Sequence, residues 1–507
     1  MAQISVSNLT FCYEGSFDNI FEDVSFVIDT DWKLGFIGRN GKGKTTFLNI
    51  LSGKYHYQGN ISTSTVFDYF PYQITQQQKE QCASEFLAEL KPGCEEWRVI
   101  CELDKLQTSA EILYRPFETL SFGEQTKVML AVLFAGDNDF LLIDEPTNHL
   151  DHEARQIVKR YLADKKGFIL VSHDRDLLDA CIDHVLVLNR KSIEIQSGNF
   201  SSWWENKKRK DNFSQMENEK HLRQIGQLKR AAEQSARWAQ QNENTKIGYD
   251  PKKEPDRDIS TRSYIGAKTK KMQSRVKSYE KRMQREIEEK EGLLVDIENP
   301  VDLKLYPDKY HKDVLVSAKD YTFIYTDAKE AVIDHLSFEL RQGERIFLKG
   351  SNGCGKSTLI KNILSHIKGE SPSNGKEEGL LKTGSGLTVS YINQDTGFLK
   401  GSIREFCKER ELDESLFCAL LRQLDMDRVQ FEKNMEDFSE GQKKKVLIAS
   451  SLMTPAHLYI WDEPLNYIDV FTRMQIEELL LKYQPTMLLV DHDESFCEKI
   501  ETKIIKL

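Results

Sequence analysis

Two stretches of this chain have the residues needed to grip phosphate. Gly38-Arg-Asn-Gly-Lys-Gly-Lys44-Thr45 and Gly350-Ser-Asn-Gly-Cys-Gly-Lys356-Ser357 both fit the pattern G-x-x-x-x-G-K-[ST]. In such a loop the glycines let successive backbone N–H groups wrap around phosphate oxygens. The lysine reaches the β- and γ-phosphates, and the hydroxyl residue serves Mg²⁺. A helix opening after each loop adds a dipole that favours anions. The candidate phosphate ligands are Gly38, Asn40, Gly41, Gly43, Lys44, Thr45 and Thr46, and again Gly350, Asn352, Gly353, Gly355, Lys356, Ser357 and Thr358. Cys354, inside the second loop, reads as a small filler residue and not as a nucleophile. Further on, Phe140-Leu-Leu-Ile-Asp144-Glu145 and Leu458-Tyr-Ile-Trp-Asp462-Glu463 read as buried strands ending in two carboxylates. Asp144 and Asp462 are placed to hold Mg²⁺ through water, and Glu145 and Glu463 to orient or deprotonate an attacking water. An acidic strand end at the surface does not explain why both copies continue with Pro, then Asn148 and Asp151 or Asn466 and Asp469.

These pairs belong to an internal repeat. The glycine loops are offset by 312 residues, and Tyr13 and Tyr325 share that offset. Gln73 pairs with Gln394, Ser121 with Ser439, Asp144-Glu145 with Asp462-Glu463 and His173 with His492, at offsets of 318 to 321. Six features in one order indicate a duplicated domain. Residues 1–200 form the first copy, 300–507 the second, and 201–299 belong to neither. Short apolar runs such as Lys33–Ile37, Phe140–Ile143 and Phe168–Val171 precede or follow the motifs. Buried strands alternating with helices imply an α/β core with a mostly parallel sheet in each copy.

Leu120-Ser-Phe-Gly-Glu-Gln125 and Phe438-Ser-Glu-Gly-Gln442 resemble the signature of the ATP-binding-cassette superfamily. The resemblance covers both copies. It implies two ATP sites, each composite: Ser121, Gly123 and Gln125 complete the site on Lys356, while Ser439, Gly441 and Gln442 complete the site on Lys44. Phe122 and Glu440 depart from the common LSGGQ, leaving the Ser and the second Gly intact. Gln73 and Gln394 look like the residues that sense Mg²⁺ and the γ-phosphate, adding to the Mg²⁺ set of Thr45, Asp144, Ser357 and Asp462. His173 and His492, 28 and 29 residues after the glutamates, look like the switch histidines that contact the γ-phosphate. Tyr13 and Tyr325 either stack on adenine or pack as strand-start core residues. The resemblance implies two hydrolysis-competent sites closing like a clamp on ATP and reopening after hydrolysis.

Length and composition set bounds on the rest. The chain has 507 residues, 39% hydrophobic and 30% charged, enough for two or three packed domains. Nothing approaches the ~20 consecutive apolar residues of a membrane span. The segment Met1 to Val6 lacks the charged and apolar regions of a signal peptide. Nine scattered cysteines without a Cys-x-x-Cys pair argue against a metal or disulfide framework and suit a reducing, cytoplasmic compartment. The net charge is −10, yet residues 201–297 hold 23 Lys and Arg against 16 Asp and Glu, a net +7, leaving −17 for the remainder. A basic segment therefore sits between two acidic bodies.

That segment reads as two helices. The first runs from about Ser201 to Asn242, with apolar Met216, Leu222, Ile225, Leu228, Ala232 and Ala236. The second runs from about Ala267 to Ile297, with Met272, Val276, Tyr279, Met283, Ile287 and Leu294. Spacings of three and four predict an antiparallel α-helical hairpin linker. A 40-residue helix would extend ~60 Å. The stretch about 242–266, rich in Asn, Asp, Pro, Gly and Lys and carrying Tyr249 and Tyr264, reads as its tip loop. A basic arm of this length suits RNA phosphate better than it suits a spacer.

Two cassettes on one chain and a linker opening with Gly198-Asn-Phe-Ser-Ser-Trp-Trp-Glu resemble the ABC-F class over essentially the whole sequence. Trp32-Lys-Leu-Gly-Phe-Ile-Gly, Gly167-Phe-Ile-Leu-Val-Ser-His-Asp-Arg175 and Tyr459-Ile-Trp-Asp-Glu-Pro-Leu-Asn-Tyr-Ile-Asp469 are similar to the Lsa/Vga-type antibiotic-resistance members. Only 48 residues separate Gln73 from Ser121, leaving little room for the arm domain of housekeeping members, and 15 residues follow His492. The resemblance implies a 70S ribosome partner, entered at the tRNA exit site, with the linker meeting 23S rRNA and P-site tRNA. It also implies protection against lincosamides, pleuromutilins and streptogramin A, and a monomer that pairs its own cassettes without an obligate subunit or a membrane. A housekeeping factor for stalled ribosomes shares the same motifs. A transporter-energising subunit fits the long basic linker poorly, and a DNA-repair cassette ATPase would carry longer coiled coils or metal-binding cysteines.

Overall fold

The computed structural model describes residues 3–13, 19–136, 139–148, 150–188, 193–244, 303–326, 330–351, 353–370, 375–491 and 493–507, with isolated linker residues 274, 278, 281 and 282. His492, Asn352, Tyr249, Tyr264 and the side chains of the second linker stretch from Met272 to Leu294 lie outside the described residues. The chain divides into two compact units: Met1–Trp203 together with Pro300–Leu507, and Trp204–Asn299.

The first copy opens with β1 (Gln3–Phe11), β2 (Phe21–Asp29) and β3 (Lys33–Ile37), followed by α1 (Lys44–Leu51), β4 (Gln58–Ser62) and β5 (Val66–Phe70). Three helices follow, α2 (Gln76–Glu80), α3 (Ala83–Leu90) and α4 (Glu96–Lys105). After them come α5 (Phe122–Phe134), β6 (Asp139–Asp144), α6 (His152–Ala163), β7 (Phe168–Val171), α7 (Arg175–Cys181), β8 (His184–Leu188) and β9 (Ile193–Ser197). The main sheet runs β5-β6-β7-β3-β8-β9, parallel except for β9, and an antiparallel sheet β2-β1-β4 accompanies it. The single helix α8 (Phe200–Asn244, 45 residues) follows, a little longer at each end than its periodicity predicts.

The second copy repeats the plan with β10 (Val314–Tyr325), β11 (Ile333–Arg341), β12 (Arg345–Lys349), α9 (Lys356–Lys368), β13 (Gly375–Thr383) and β14 (Val389–Ile392). It continues with α10 (Ile403–Glu409), α11 (Glu414–Gln423), α12 (Glu440–Met453), β15 (Leu458–Asp462), α13 (Val470–Tyr483), β16 (Met487–Val490), α14 (Glu494–Ile500) and β17 (Lys503–Lys506). Its parallel sheet runs β14-β15-β16-β12-β17, beside an antiparallel β11-β10-β13.

The central strands are continuous apolar runs because both faces are covered. Every residue of β7 and β16 is buried. Along β15 the side chains alternate: Tyr459 and Trp461 join the core on one face of the sheet, Leu458 and Ile460 the core on the other. The helices that follow the acidic strand ends and the histidine loops begin with a side-chain cap, whereas the phosphate-loop helices α1 and α9 begin at glycines without one. Asp151 caps α6, Asp174 α7, Asp469 α13 and Asp493 α14, each accepting a backbone N–H at 2.9 to 3.1 Å. These caps fix where the loops after β6, β7, β15 and β16 turn into helices, and the candidate glutamates Glu145 and Glu463 and His173 lie in those loops.

Candidate active sites

Each glycine loop joins a buried strand, β3 or β12, to a helix, α1 or α9. The last glycine before the helix, Gly43 at φ +108° and Gly355 at φ +98°, is left-handed, and no side chain is accommodated there. A Cβ on Gly43 would lie 2.5 Å from Ile20, and one on Gly355 2.8 Å from Val332. Lys44 Nζ donates to the Gly38 carbonyl at 2.6 Å and the Arg39 carbonyl at 3.2 Å. Lys356 Nζ donates to the Gly350 and Ser351 carbonyls, both at 2.8 Å. The ammonium is thus held against its own loop, where a phosphate chain on the N–H groups would meet it.

Thr45 Oγ1 donates to Asp144 Oδ2 at 3.0 Å, and Ser357 Oγ to Asp462 Oδ2 at 3.1 Å. Burial raises both aspartates above the usual carboxylate range. The other oxygen of Asp462, Oδ1, is buried without a hydrogen-bond partner. A hydroxyl and a carboxylate from facing elements, with one carboxylate oxygen unsatisfied, suit a hard divalent cation that completes its shell with phosphate and water. Among the described residues no group of three or more His, Cys, Asp and Glu could hold a metal ion.

The following glutamates leave the strands with left-handed backbones, Glu145 at φ +51° and Glu463 at φ +49°, both non-glycine outliers. The turn aims each carboxylate away from the strand axis, while its N–H stays tied to the neighbouring strand at Val171 or Val490, 2.9 Å away. Glu145 Oε1 lies 3.2 Å from Nε2 of His173, the residue next but one after β7. Burial first, then Asp144, pushes Glu145 up to about 8. Burial, then Lys44, holds His173 well below its usual value. A carboxyl poised near neutral pH beside a neutral imidazole suits general-base work. In the second copy Glu463 Oε2 accepts from Gln394 Nε2 at 2.9 Å and from Asn466 Nδ2 at 2.8 Å. Gln73, by contrast, lies exposed in the loop after β5.

The two copies meet at these loops. Asn40 Nδ2 donates to the Tyr467 carbonyl at 2.7 Å, and a Cβ on Gly441 would lie 3.6 Å from that same amide nitrogen. The signature glycine of the second copy therefore sits against the phosphate loop of the first. Arg39 Nη1 is 2.9 Å from Asp425 and Lys42 Nζ 3.5 Å from Asp427, both between α11 and α12. Asp469, fully buried, pairs with Lys445 at 3.4 Å, and both bear electrostatically on Lys44 and His173. Around Lys356, a cavity of about 460 Å³ is lined by Phe122 and Arg155 of the first copy and by Tyr325, Gly353, Ser357, Thr358, Gln394 and Glu463 of the second.

The remaining sequence candidates take definite places. Ser121 and Ser439 cap the signature helices in capping boxes whose partners are Glu124 and Gln442. Glu124, one residue before the expected Gln125, thus occupies the place of Gln442. Gln125 instead donates to the Phe117 and Leu120 carbonyls at 3.1 and 3.0 Å and braces its own loop. Tyr13 and Tyr325 bond Thr46 and Thr358 through their hydroxyls, each at 2.7 Å. Tyr13 is 42% exposed, so its ring is available beside the phosphate loop. Sequence reasoning missed Arg39, Asp425, Lys445 and Arg473. Lys445 and Arg473 match Lys127 and Arg155 in the repeat, but a buried cation resembles a surface one until its partner is known.

In α8, Met216 and Leu222 are exposed and Ile225 is buried. Trp203, in its first turn, is 3% exposed, with its ring edge-on to Phe471 of α13 at 6.0 Å between centroids. Among the described residues no helix is long and apolar enough to cross a membrane.

The sequence profile of the ABC transporter family matches residues 21–148 and 333–466, slightly more than half of the chain. The ribosome protection protein VmlR of Bacillus subtilis is 27% identical over 98% of this chain and 85% of its own length. The ATP-binding protein Uup of Buchnera aphidicola from Acyrthosiphon pisum is 26% identical over 99% of this chain and 80% of its own. Among solved structures, an archaeal ribosome recycling factor, aABCE1, in complex with the stalk protein aP1, superposes with a TM-score of 0.60 at 18% identity. It covers 98% of this chain and 87% of that one, and the likeness is one of fold. Matched phosphate loops, acidic strand ends and signature helices, in two copies under one family profile, leave a single assignment: the chain belongs to the ABC transporter family, as a tandem-cassette, ATP-hydrolysing enzyme of the ABC-F class.

Proposed function

We propose that this ATPase acts on the ribosome. It would enter the tRNA exit site and, with its basic linker, protect the peptidyl-transferase centre from antibiotics. Lincosamides, pleuromutilins and streptogramin A are the drugs its class suggests. The observation that carries the reading is the pairing of two cassettes around shared sites, with Gly441 against Asn40, on a chain that also carries the 45-residue helix α8. The relative VmlR, named as a ribosome protection protein and matched over almost the whole chain, supports it. The 201–299 segment would be the rRNA- and tRNA-facing linker, flanked by cassettes 1–200 and 300–507, and the protein would work as a cytoplasmic monomer. Trp203 against Phe471 seats the root of α8 on α13, so cassette movement has a route into the linker.

In this reading the loop N–H groups, Lys44 and Lys356 bind the phosphates of ATP, and the signature residues Ser439 with Gly441, and Ser121 with Gly123, close over the γ-phosphate from the other cassette. Thr45 with Asp144, and Ser357 with Asp462, would hold Mg²⁺, which neutralises phosphate charge when bound. Glu145 or Glu463 accepts a proton from water as its oxygen attacks the γ-phosphorus. The bond to the β-phosphate oxygen breaks, giving ADP and phosphate. His173 and His492 bear on the γ-phosphate, and Gln73 and Gln394 on the metal and the γ-phosphate.

The test is drug susceptibility of cells expressing the wild-type chain or a variant shortened between Asn242 and Gly266. Protection by the wild type, lost on shortening, is expected. No protection by the wild type would move the reading to a housekeeping factor, and absence of the Glu145→Gln, Glu463→Gln double variant from ribosome pellets would remove the ribosome altogether.

A further inference from the structure

The buried charges between the cassettes are not used by the chemistry above. Arg175 follows His173 by two residues and caps nothing itself, yet its side chain is only 4% exposed. Its guanidinium grips both oxygens of Glu477 on α13 of the other cassette, Nη1 to Oε2 at 3.1 Å and Nη2 to Oε1. Glu477 is 6% exposed. One turn earlier on α13, Arg473 Nη1 donates to Asp493 Oδ2 at 2.9 Å, and Asp493 directly follows His492 in sequence. A buried ion pair adds little net stability, because desolvation offsets the attraction, but its two-point geometry fixes the partners in register. In the second copy the place of Arg175 is taken by Glu494. It accepts from Gln156 Nε2 at 2.7 Å and lies 3.1 Å from His152 Nδ1, so the contact there has different chemistry.

We propose that Glu477 is a positioning residue for the first ATP site. Through Arg175 it sets the loop that carries His173, so turnover on Lys44 depends on a charge supplied by the other cassette. The proposal rests on the active-site reading above. It makes the two sites unequal in a definite direction: loss of the Glu477 charge slows the first site and spares the second.

The experiment uses the full chain. Glu463→Gln isolates turnover at the first site, and Glu145→Gln isolates the second. In the first background, Glu477→Gln is expected to lower kcat about ten- to a hundredfold with KM changed by less than about twofold, the size of loss a misplaced catalytic group brings. In the second background it leaves kcat within about twofold. The exchange Arg175→Glu with Glu477→Arg restores the first site, and if that pair fails to fold, Arg175→Lys on the Glu477 background retains more activity than Arg175→Ala. Equal losses at both sites, losses that follow the melting temperature, or unchanged kcat overturn the inference. If Glu145→Gln and Glu463→Gln themselves leave turnover intact, the active-site reading falls and takes this inference with it.

Discussion

Asp425→Asn should open the first ATP site selectively. Arg39 Nη1 lies 2.9 Å from Asp425 Oδ1, with side chains 29% and 15% exposed, and this bond ties the first phosphate loop to the second cassette. Asn is the chosen replacement because Asp425 has φ +62°, a conformation that asparagine tolerates. Fully exposed ion pairs contribute about 0.2–1 kcal/mol. A pair this shielded, with hydrogen-bond geometry, contributes roughly 1–2 kcal/mol. Lys42–Asp427, at 3.5 Å with Asp427 71% exposed, adds less. Losing roughly 1–2 kcal/mol from the closed arrangement shifts its equilibrium about five- to thirtyfold. In the Glu463→Gln background, Asp425→Asn should therefore raise the KM for ATP by that factor while changing kcat little. Raising salt from about 0.1 M to about 1 M shortens the screening length from about 10 Å to about 3 Å. It should raise the wild-type KM toward the variant's and leave the variant less affected. The second loop carries Ser351 and Cys354 where the first has Arg39 and Lys42, and Gln107 stands where the second cassette has Asp425. Gln107→Asn should accordingly leave second-site KM unchanged. An unaltered first-site KM in Asp425→Asn, or equal rises at both sites, would refute the latch.

Gly43→Ala and Gly355→Ala should each abolish nucleotide binding at their own site, since a methyl there meets Ile20 or Val332 in a left-handed backbone; binding of a fluorescent ATP analogue reads this directly. Asp469 is expected to matter most above acid pH. Burial would raise it, but Lys445 and the Thr472 N–H hold it down to about 2, so its contribution is complete above the ordinary carboxylate range and disappears as pH falls toward 2. Asp469→Asn should therefore cost on the order of 2 kcal/mol at pH 7, seen as a lower melting temperature, with the deficit shrinking by pH 3; a deficit constant with pH would contradict the assignment. Tyr13→Phe should keep ATP affinity if the ring stacks on adenine, and Tyr13→Leu should lose it; equal losses would place the role in the hydroxyl bond to Thr46.

Much of the machinery was legible in the residues because phosphate chemistry constrains short contiguous segments. A loop that wraps a phosphate needs glycines and a lysine at fixed spacing, and a buried strand ending in two carboxylates is visible as an apolar run. Duplication then separated such motifs from chance. The strands at Lys33–Ile37 and Phe168–Val171 and a linker helix beginning at about Ser201 follow from the same kind of local pattern, the structure starting that helix one residue earlier. What sequence left open depends on partners far apart in the chain. Glu124, not Gln125, completes the Ser121 capping box because helix geometry counts from the cap, whereas the motif invites counting to the glutamine. That Asp425 meets Arg39 and that Glu477 meets Arg175 were decided by the packing of one cassette on the other, and that Lys445 is buried against Asp469 by the packing within the second. A charged side chain gives no sign in sequence of whether water or a counter-charge surrounds it. Only the tertiary fold, by excluding water from the cassette contact, turns those ordinary arginines, lysines and carboxylates into the pairs that join the two sites.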